Sequence, residues 1–259
     1  MRSRPRALTM VVIDQGQGPV VVLIHGLGAN HEDWRRVVPL LSDTFRVLVV
    51  DLPGFGSAPP LAAPGGLVDY AEAVWGALQA LGVHQVGALV GHSMGGAVAI
   101  EAALNHPQGV ARLAVINSMP AFTPQTPRDH FEVVYRRFMV RTLGPRRLAR
   151  LSAMRMFPDP ADAALRAPVI ARGRRNRVGP YLAALNALIG WEARDRLSGW
   201  KKPLLWLASE YDYFEFEPIR ELRLVIPHMR VRCFPGERHG LPMARPEAVA
   251  REVRALMRL

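Results

Sequence analysis

Apolar positions along the chain fall into two alternating rhythms. Short continuous runs rich in Val, Ile and Leu occupy residues 8–14, 19–25, 45–50, 86–90, 113–117, 203–208 and 229–234. Runs of this length read as strands, most of them covered on both faces. Between them, apolar residues recur at three- and four-residue spacing over 32–41 (Trp34, Val37, Val38, Leu41), 67–81, 95–105, 218–224 and 246–258. That spacing predicts helices, and Gly82 stands where a helix C-terminal glycine belongs. Only Gln15-Gly16-Gln17-Gly18 separates the first two strands, which predicts a hairpin-like start. Strands alternating with helices imply an α/β fold, with a mostly parallel central sheet flanked by helices.

The rhythm breaks after residue 119. Residues 120–200 carry helical spacing only, interrupted at Gly144-Pro145, Pro158-Asp159-Pro160, Pro168 and Gly179-Pro180. From residue 201 the strand–helix alternation returns. The expected organisation is one α/β core, 1–119 and 201–259, with an all-helical insertion at 120–200.

Composition narrows the class. Of 259 residues, 49% are hydrophobic and 21% charged, which excludes a disordered or collagen-like chain. A single cysteine, Cys233, excludes an intramolecular disulfide framework, and its place in a strand reads as inert core. No apolar run approaches the roughly 18–20 residues of a membrane span, and the basic start leads into too short an apolar stretch for a signal peptide. The reading is a soluble, cytoplasmic protein. The net charge of +11 first suggests nucleic acid. Yet the excess is concentrated: residues 119–200 hold 15 Arg against 6 acidic residues, without any nucleic-acid-binding signature. A nucleic-acid partner is therefore not expected.

The strongest chemical signal is Gly91-His92-Ser93-Met94-Gly95, placed between a strand and a helix. A nucleophile on so tight a turn needs neighbours without Cβ atoms, and it stands at the positive end of a helix. Ser93 is the expected nucleophile. A tetrahedral intermediate needs two donors for its oxyanion. The backbone N–H of Met94 is one. Leu27, in His25-Gly26-Leu27-Gly28 after another strand, is the natural second, with His25 orienting that turn. Gly26, Gly28, Gly91, His92 and Gly95 complete the supporting turns. Among eight histidines, His239 lies beyond the last strand, at the sheet edge where α/β sites form, and is the expected base. Asp212 follows the preceding strand and is the expected orienting acid, with Glu210 and Glu215 as neighbouring rivals. Asp51 reads as a turn-stabilising residue, and His31 and His130 have no evident partner. No metal-binding, Walker or dinucleotide motif occurs, so no metal and no cofactor are expected.

The order Ser93, Asp212, His239, with His25-Gly26-Leu27-Gly28, Asp51-Leu52-Pro53-Gly54-Phe55-Gly56 and Gly91–Gly96, resembles the α/β-hydrolase family over the whole core. The resemblance implies a carboxylesterase-like serine hydrolase with an apolar small-to-medium acyl chain, and makes 120–200 a cap over the site. Carrier-protein- or CoA-linked acyl (thio)esters, C–C bond hydrolysis, perhydrolysis and a non-enzymatic ligand receptor remain open alternatives. Two departures stand out: Arg238 replaces the usual glycine before the histidine and can pair with Glu237, and the loop after Asp212 is long. In the insertion, Met119, Phe122, Phe131, Tyr135, Phe138, Met139, Met154, Met156, Phe157, Tyr181 and Trp191 suggest an apolar pocket. Arg136, Arg137, Arg141, Arg146, Arg147, Arg150, Arg172, Arg174, Arg175 and Arg177 suggest a cationic face for an acidic carrier or a membrane surface.

Overall fold

The computed structural model describes residues 10–63 and 65–259. Seven strands form one sheet: β1 (Val11–Gln15), β2 (Val20–Ile24), β3 (Arg46–Val50), β4 (Ala88–His92), β5 (Leu113–Ile116), β6 (Leu204–Tyr211) and β7 (Arg230–Arg238). Their spatial order is β1-β3-β2-β4-β5-β6-β7, parallel throughout except for β1 against β3. The α/β expectation from the strand–helix alternation holds. The hairpin-like start does not, because β1 pairs with β3 and not with β2. β2 reads Val-Val-Val-Leu-Ile and is nearly all buried, so it takes a central position between two parallel neighbours. β1 carries Asp14 and Gln15 and suits an edge. Leu8 and Thr9, placed in the first strand by pattern, lie outside the described residues.

The pleat sends alternate side chains of each central strand to opposite layers. In β4, Leu89 packs with the helices α1 (Leu67–Ala80) and α2 (Met94–Asn105), while Ala88 and Val90 face α9 (Pro246–Met257). The segment 32–41 is not one helix. It forms two short 3₁₀ turns, His31–Trp34 and Val38–Leu40. Pro39 lacks the N–H a continuous helix would use, whereas the spacing of Trp34, Val37, Val38 and Leu41 serves two turns as well as one helix. All four of those side chains are buried.

Between β5 and β6 the chain is helical: α3 (Pro127–Met156), α4 (Ala163–Gly173), α5 (Val178–Leu188) and α6 (Arg194–Ser198). α3 begins with a capping box, Thr126 with Asp129, and kinks at Gly144 (φ 75°) before Pro145. A single bridge, Ala121 to Glu192, ties the two ends of this segment. Beyond it, Glu101 on α2 is buried and accepts hydrogen bonds from Trp191 Nε1 (2.8 Å) and from both terminal nitrogens of Arg196 (2.9 and 2.7 Å). Burial alone would raise the Glu101 carboxyl; these donors outweigh it and hold it below its usual value. The helix that begins at Met94 is thus fastened to the returning end of the insertion.

After β6 come α7 (Glu217–Val225), then β7, the single turn α8 (Leu241–Ala244) and α9. Contrary to the core position expected from its strand context, Cys233 is exposed on the edge strand β7. An edge strand buries one face only, so alternate side chains meet solvent. No helix among the described residues is long and apolar enough to cross a membrane.

Candidate active site

The turn from β4 into α2 places Ser93 at φ 55° and ψ −124°, one of two non-glycine residues with positive φ among those described. Such a conformation costs about 1–3 kcal/mol and persists because its surroundings over-determine it. Those surroundings demand glycine: a Cβ on Gly91 would collide with the Gly95 carbonyl, and one on Gly95 with the carbonyls of Ile24 and His25. The serine side chain is thereby lifted off the sheet edge.

His239 reaches it from just past β7. His239 Nε2 lies 2.9 Å from Ser93 Oγ, and Nδ1 lies 2.5 Å from Asp212 Oδ1. The three residues singled out in the sequence therefore stand in one hydrogen-bonded line. The same Asp212 oxygen accepts the Tyr213 N–H at 2.6 Å. Burial alone would raise the Asp212 carboxyl; the charge and hydrogen bond of His239 and the Tyr213 N–H reverse this and hold it below the usual value. Of the rival acids, Glu210 accepts the Gly236 N–H (2.8 Å) and is taken up there.

The turn after β2 lies against the serine: a Cβ on Gly26 would sit 2.9 Å from Ser93 Cβ. Met94 opens α2, where the first N–H groups have no acceptor within the helix. His25 is buried and donates from Nδ1 to the Gly26 carbonyl (2.7 Å), while its Nε2 accepts the Leu52 N–H (2.9 Å). Burial pushes its pKa down to about 4, so the ring is neutral and can serve as donor and acceptor at once. A trans peptide points its C=O and N–H in opposite directions. Holding the Gly26 carbonyl therefore aims the Leu27 N–H the other way. His92, lowered to about 3 by burial, donates from Nε2 to the His239 carbonyl at 2.7 Å and fixes the backbone of that residue.

Other side chains are placed differently from their sequence reading, or find partners that it lacked. Asp51 accepts the N–H of His31 (2.8 Å) and of Ser57 (2.8 Å), and His31 Nδ1 is 3.0 Å from it, so His31 has a partner in that turn. His130 bonds the Thr126 carbonyl at 2.9 Å. Arg238 does not pair with Glu237, which takes Arg245 (2.5 Å) instead; Arg238 lies over the Tyr211 ring at 5.4 Å. The long loop after Asp212 has a structural use that sequence reasoning missed. Tyr213 stacks on the His239 ring (centroids 4.3 Å, 25°) and Phe214 meets it edge-on (5.6 Å, 74°). The local signal for it is the aromatic run Tyr211-Asp212-Tyr213-Phe214 around the carboxylate.

A cavity of about 840 Å³ opens above Ser93 and His239, lined by Leu27, Met119, Phe122, Met156, Leu185 and Phe214 among others. Tyr181 also lines it, but Phe131, Phe138 and Met154 face solvent and form no part of it. Of the arginines, Arg172 is buried in an ion pair with Asp33, and Arg136 turns to Glu132 (2.8 Å) beside the cavity. Arg141, Arg146, Arg147, Arg150, Arg174, Arg175 and Arg177 are exposed. Among the described residues no cluster of three or more His, Cys, Asp or Glu side chains is placed to hold a metal ion.

A family model of the alpha/beta hydrolase fold matches residues 19–239. The chain belongs to the α/β-hydrolase family. Within this family the hydrolase is similar to the pimeloyl-[acyl-carrier protein] methyl ester esterase of Vibrio campbellii, 32% identical over 92% of this chain and 94% of that one. It is also similar to the magnesium-chelatase 30 kDa subunit of Rhodobacter capsulatus, 41% identical, but over only 51% of this chain and 44% of that relative. Among solved structures, the enol-lactonase of Burkholderia xenovorans LB400 superposes with a TM-score of 0.85 at 24% identity, covering 94% and 93% of the two chains. That likeness concerns the fold. The full-length relatives set the hydrolase among the serine-type esterases.

Proposed function

We propose that this hydrolase cleaves carboxylic esters with an apolar acyl chain of small to medium length, through an acyl-enzyme on Ser93. The observation that carries this reading is the line Ser93–His239–Asp212 opening onto a largely apolar cavity. Ser93 Oγ attacks the ester carbonyl while His239 Nε2 takes its proton, and Asp212 stabilises the resulting imidazolium. The N–H groups of Leu27 and Met94 hold the oxyanion. His239 returns the proton to the departing alcohol, then deprotonates a water that releases the acid. In this reading residues 120–200 form the cap, and the Tyr213 ring fixes the imidazole from one face. The test is labelling of the intact protein with a fluorophosphonate, with the modified peptide located by mass, beside a p-nitrophenyl ester series. Modification at Ser93 and an optimum at a small to medium acyl length are expected. A folded protein that takes no label contradicts the reading.

A second reading concerns how the acyl group arrives. The exposed arginines of α3 and of the turn between α4 and α5, together with the carrier-linked substrate in the name of the Vibrio relative, favour an acyl ester borne by an acidic carrier. Exposed charges are screened beyond about 8–10 Å near physiological salt. Raising NaCl from 50 to 500 mM should lower kcat/KM for a carrier-bound ester by about tenfold and leave that for a free p-nitrophenyl ester within about twofold. Equal salt responses would remove the carrier reading.

A further inference from the structure

The oxyanion turn is held from two sides, and only one of them belongs to the α/β core. From below, His25 fixes the Gly26 carbonyl, as described. From above, Asn176, in the turn between α4 and α5, donates from Nδ2 to the Gly28 carbonyl at 2.7 Å. A carbonyl oxygen can only accept, so the amide nitrogen must face it. Around this contact α4 and α5 pack against the same loop and against the loop after β3. Asp33, in the 3₁₀ turn that follows, forms an ion pair with Arg172 of α4, and both side chains are at most 7% exposed. Gly28 has φ 73°, and a Cβ there would sit 2.9 Å from the Tyr181 ring of α5. A Cβ on Gly54 would sit 2.6 Å from Pro180.

We propose that Asn176 is a positioning residue for the oxyanion donor at Leu27. His25 holds the Gly26–Leu27 peptide directly, and Asn176 holds the Gly28–Ala29 peptide, whose N–H donates to the same Gly26 carbonyl at 3.2 Å. The Leu27 N–H keeps its aim only while α4 and α5 are seated, and the buried Asp33–Arg172 pair seats them. Removing either partner while the other stays buried would leave an uncompensated charge, so both side chains are needed where α4 meets the loop. The insertion therefore helps to build the site as well as covering it. This inference rests on the ester-hydrolase reading.

The experiment compares wild type with Asn176→Ala and Asn176→Asp. The first removes the donor; the second keeps the size and sets a carboxylate against the carbonyl. Each is assayed on p-nitrophenyl acetate and hexanoate, and for inhibition by an alkyl boronic acid, whose tetrahedral adduct places an oxygen where the oxyanion forms. Removing an oxyanion donor outright costs about 10²–10³ in kcat, so loosening one should cost about tenfold. We expect kcat to fall about tenfold or more in both variants, by the same factor for both esters, with KM within about twofold and boronate affinity reduced in parallel. A residue that only lines the acyl pocket would change KM, and would do so differently for acetate and hexanoate; that pattern overturns the proposal. So does unchanged kcat in a variant that melts at the wild-type temperature. If one variant is too unstable to assay, the other decides alone. Fluorophosphonate labelling of the wild type separates the two layers: no label means that the hydrolase reading fails, whereas label with kcat insensitive to Asn176 means that only this inference fails.

Discussion

Replacing Ser93 by alanine should lower kcat for a p-nitrophenyl ester by about 10⁵-fold or more and abolish fluorophosphonate labelling. The residual rate over water, about 10³–10⁴, would come from the oxyanion donors and binding alone. Folding should be nearly untouched. Alanine meets the same backbone strain at φ 55° as serine does, and the only bond lost is the one between Oγ and His239 Nε2. Unfolding free energies of the two proteins from urea titration should therefore agree within about 0.5 kcal/mol, as for substitutions that empty no core volume. Turnover above about 1% of wild type in a purified Ser93→Ala protein would move the nucleophile elsewhere.

Asp212→Asn should lower kcat by roughly 10²–10³-fold, less than the ~10⁴ seen where an amide replaces such a carboxylate and reverses the histidine tautomer. The difference has a structural cause. Two donors, the Tyr213 N–H and His239 Nδ1, converge on the same oxygen of Asp212. An asparagine meeting them best presents its carbonyl oxygen, since its NH₂ would face the Tyr213 N–H donor to donor. The imidazole then keeps Nδ1 protonated and Nε2 free to accept from Ser93, and what disappears is the negative charge that stabilises the imidazolium. KM and the urea midpoint should change little. A loss of 10⁴ or more would mean that the amide has turned over and the tautomer with it.

The core was legible because burial on both faces of a parallel sheet writes itself as continuous Val, Ile and Leu runs, as in residues 20–24 and 46–50. The elbow was legible because it needs glycine at 91 and 95. Sheet order was less so: which strand accepts β1 depends on edge exposure, and the short spacer after Gln15 favoured the wrong neighbour. At 32–41 the apolar spacing fits one helix as well as two turns, and Pro39 is the local feature that breaks it. The contacts of Tyr213 with His239, of Arg172 with Asp33 and of Asn176 with Gly28 join residues 26, 139 and 148 positions apart. Nothing local in the chain encodes such pairs; the first exists once β7 has paired with β6, and the other two only once the insertion has docked on the core.

The elements of the site also have an order in time. Ser93 and the turn after β2 lie before the helical segment 120–200, and Asp212 and His239 lie after it. During synthesis, the strained elbow is translated long before His239, the proposed base. A ribosome-bound chain that has not yet released β7 holds a serine without an imidazole. On the proposed mechanism, a chain in which β7 has not yet paired with β6 should not cleave esters.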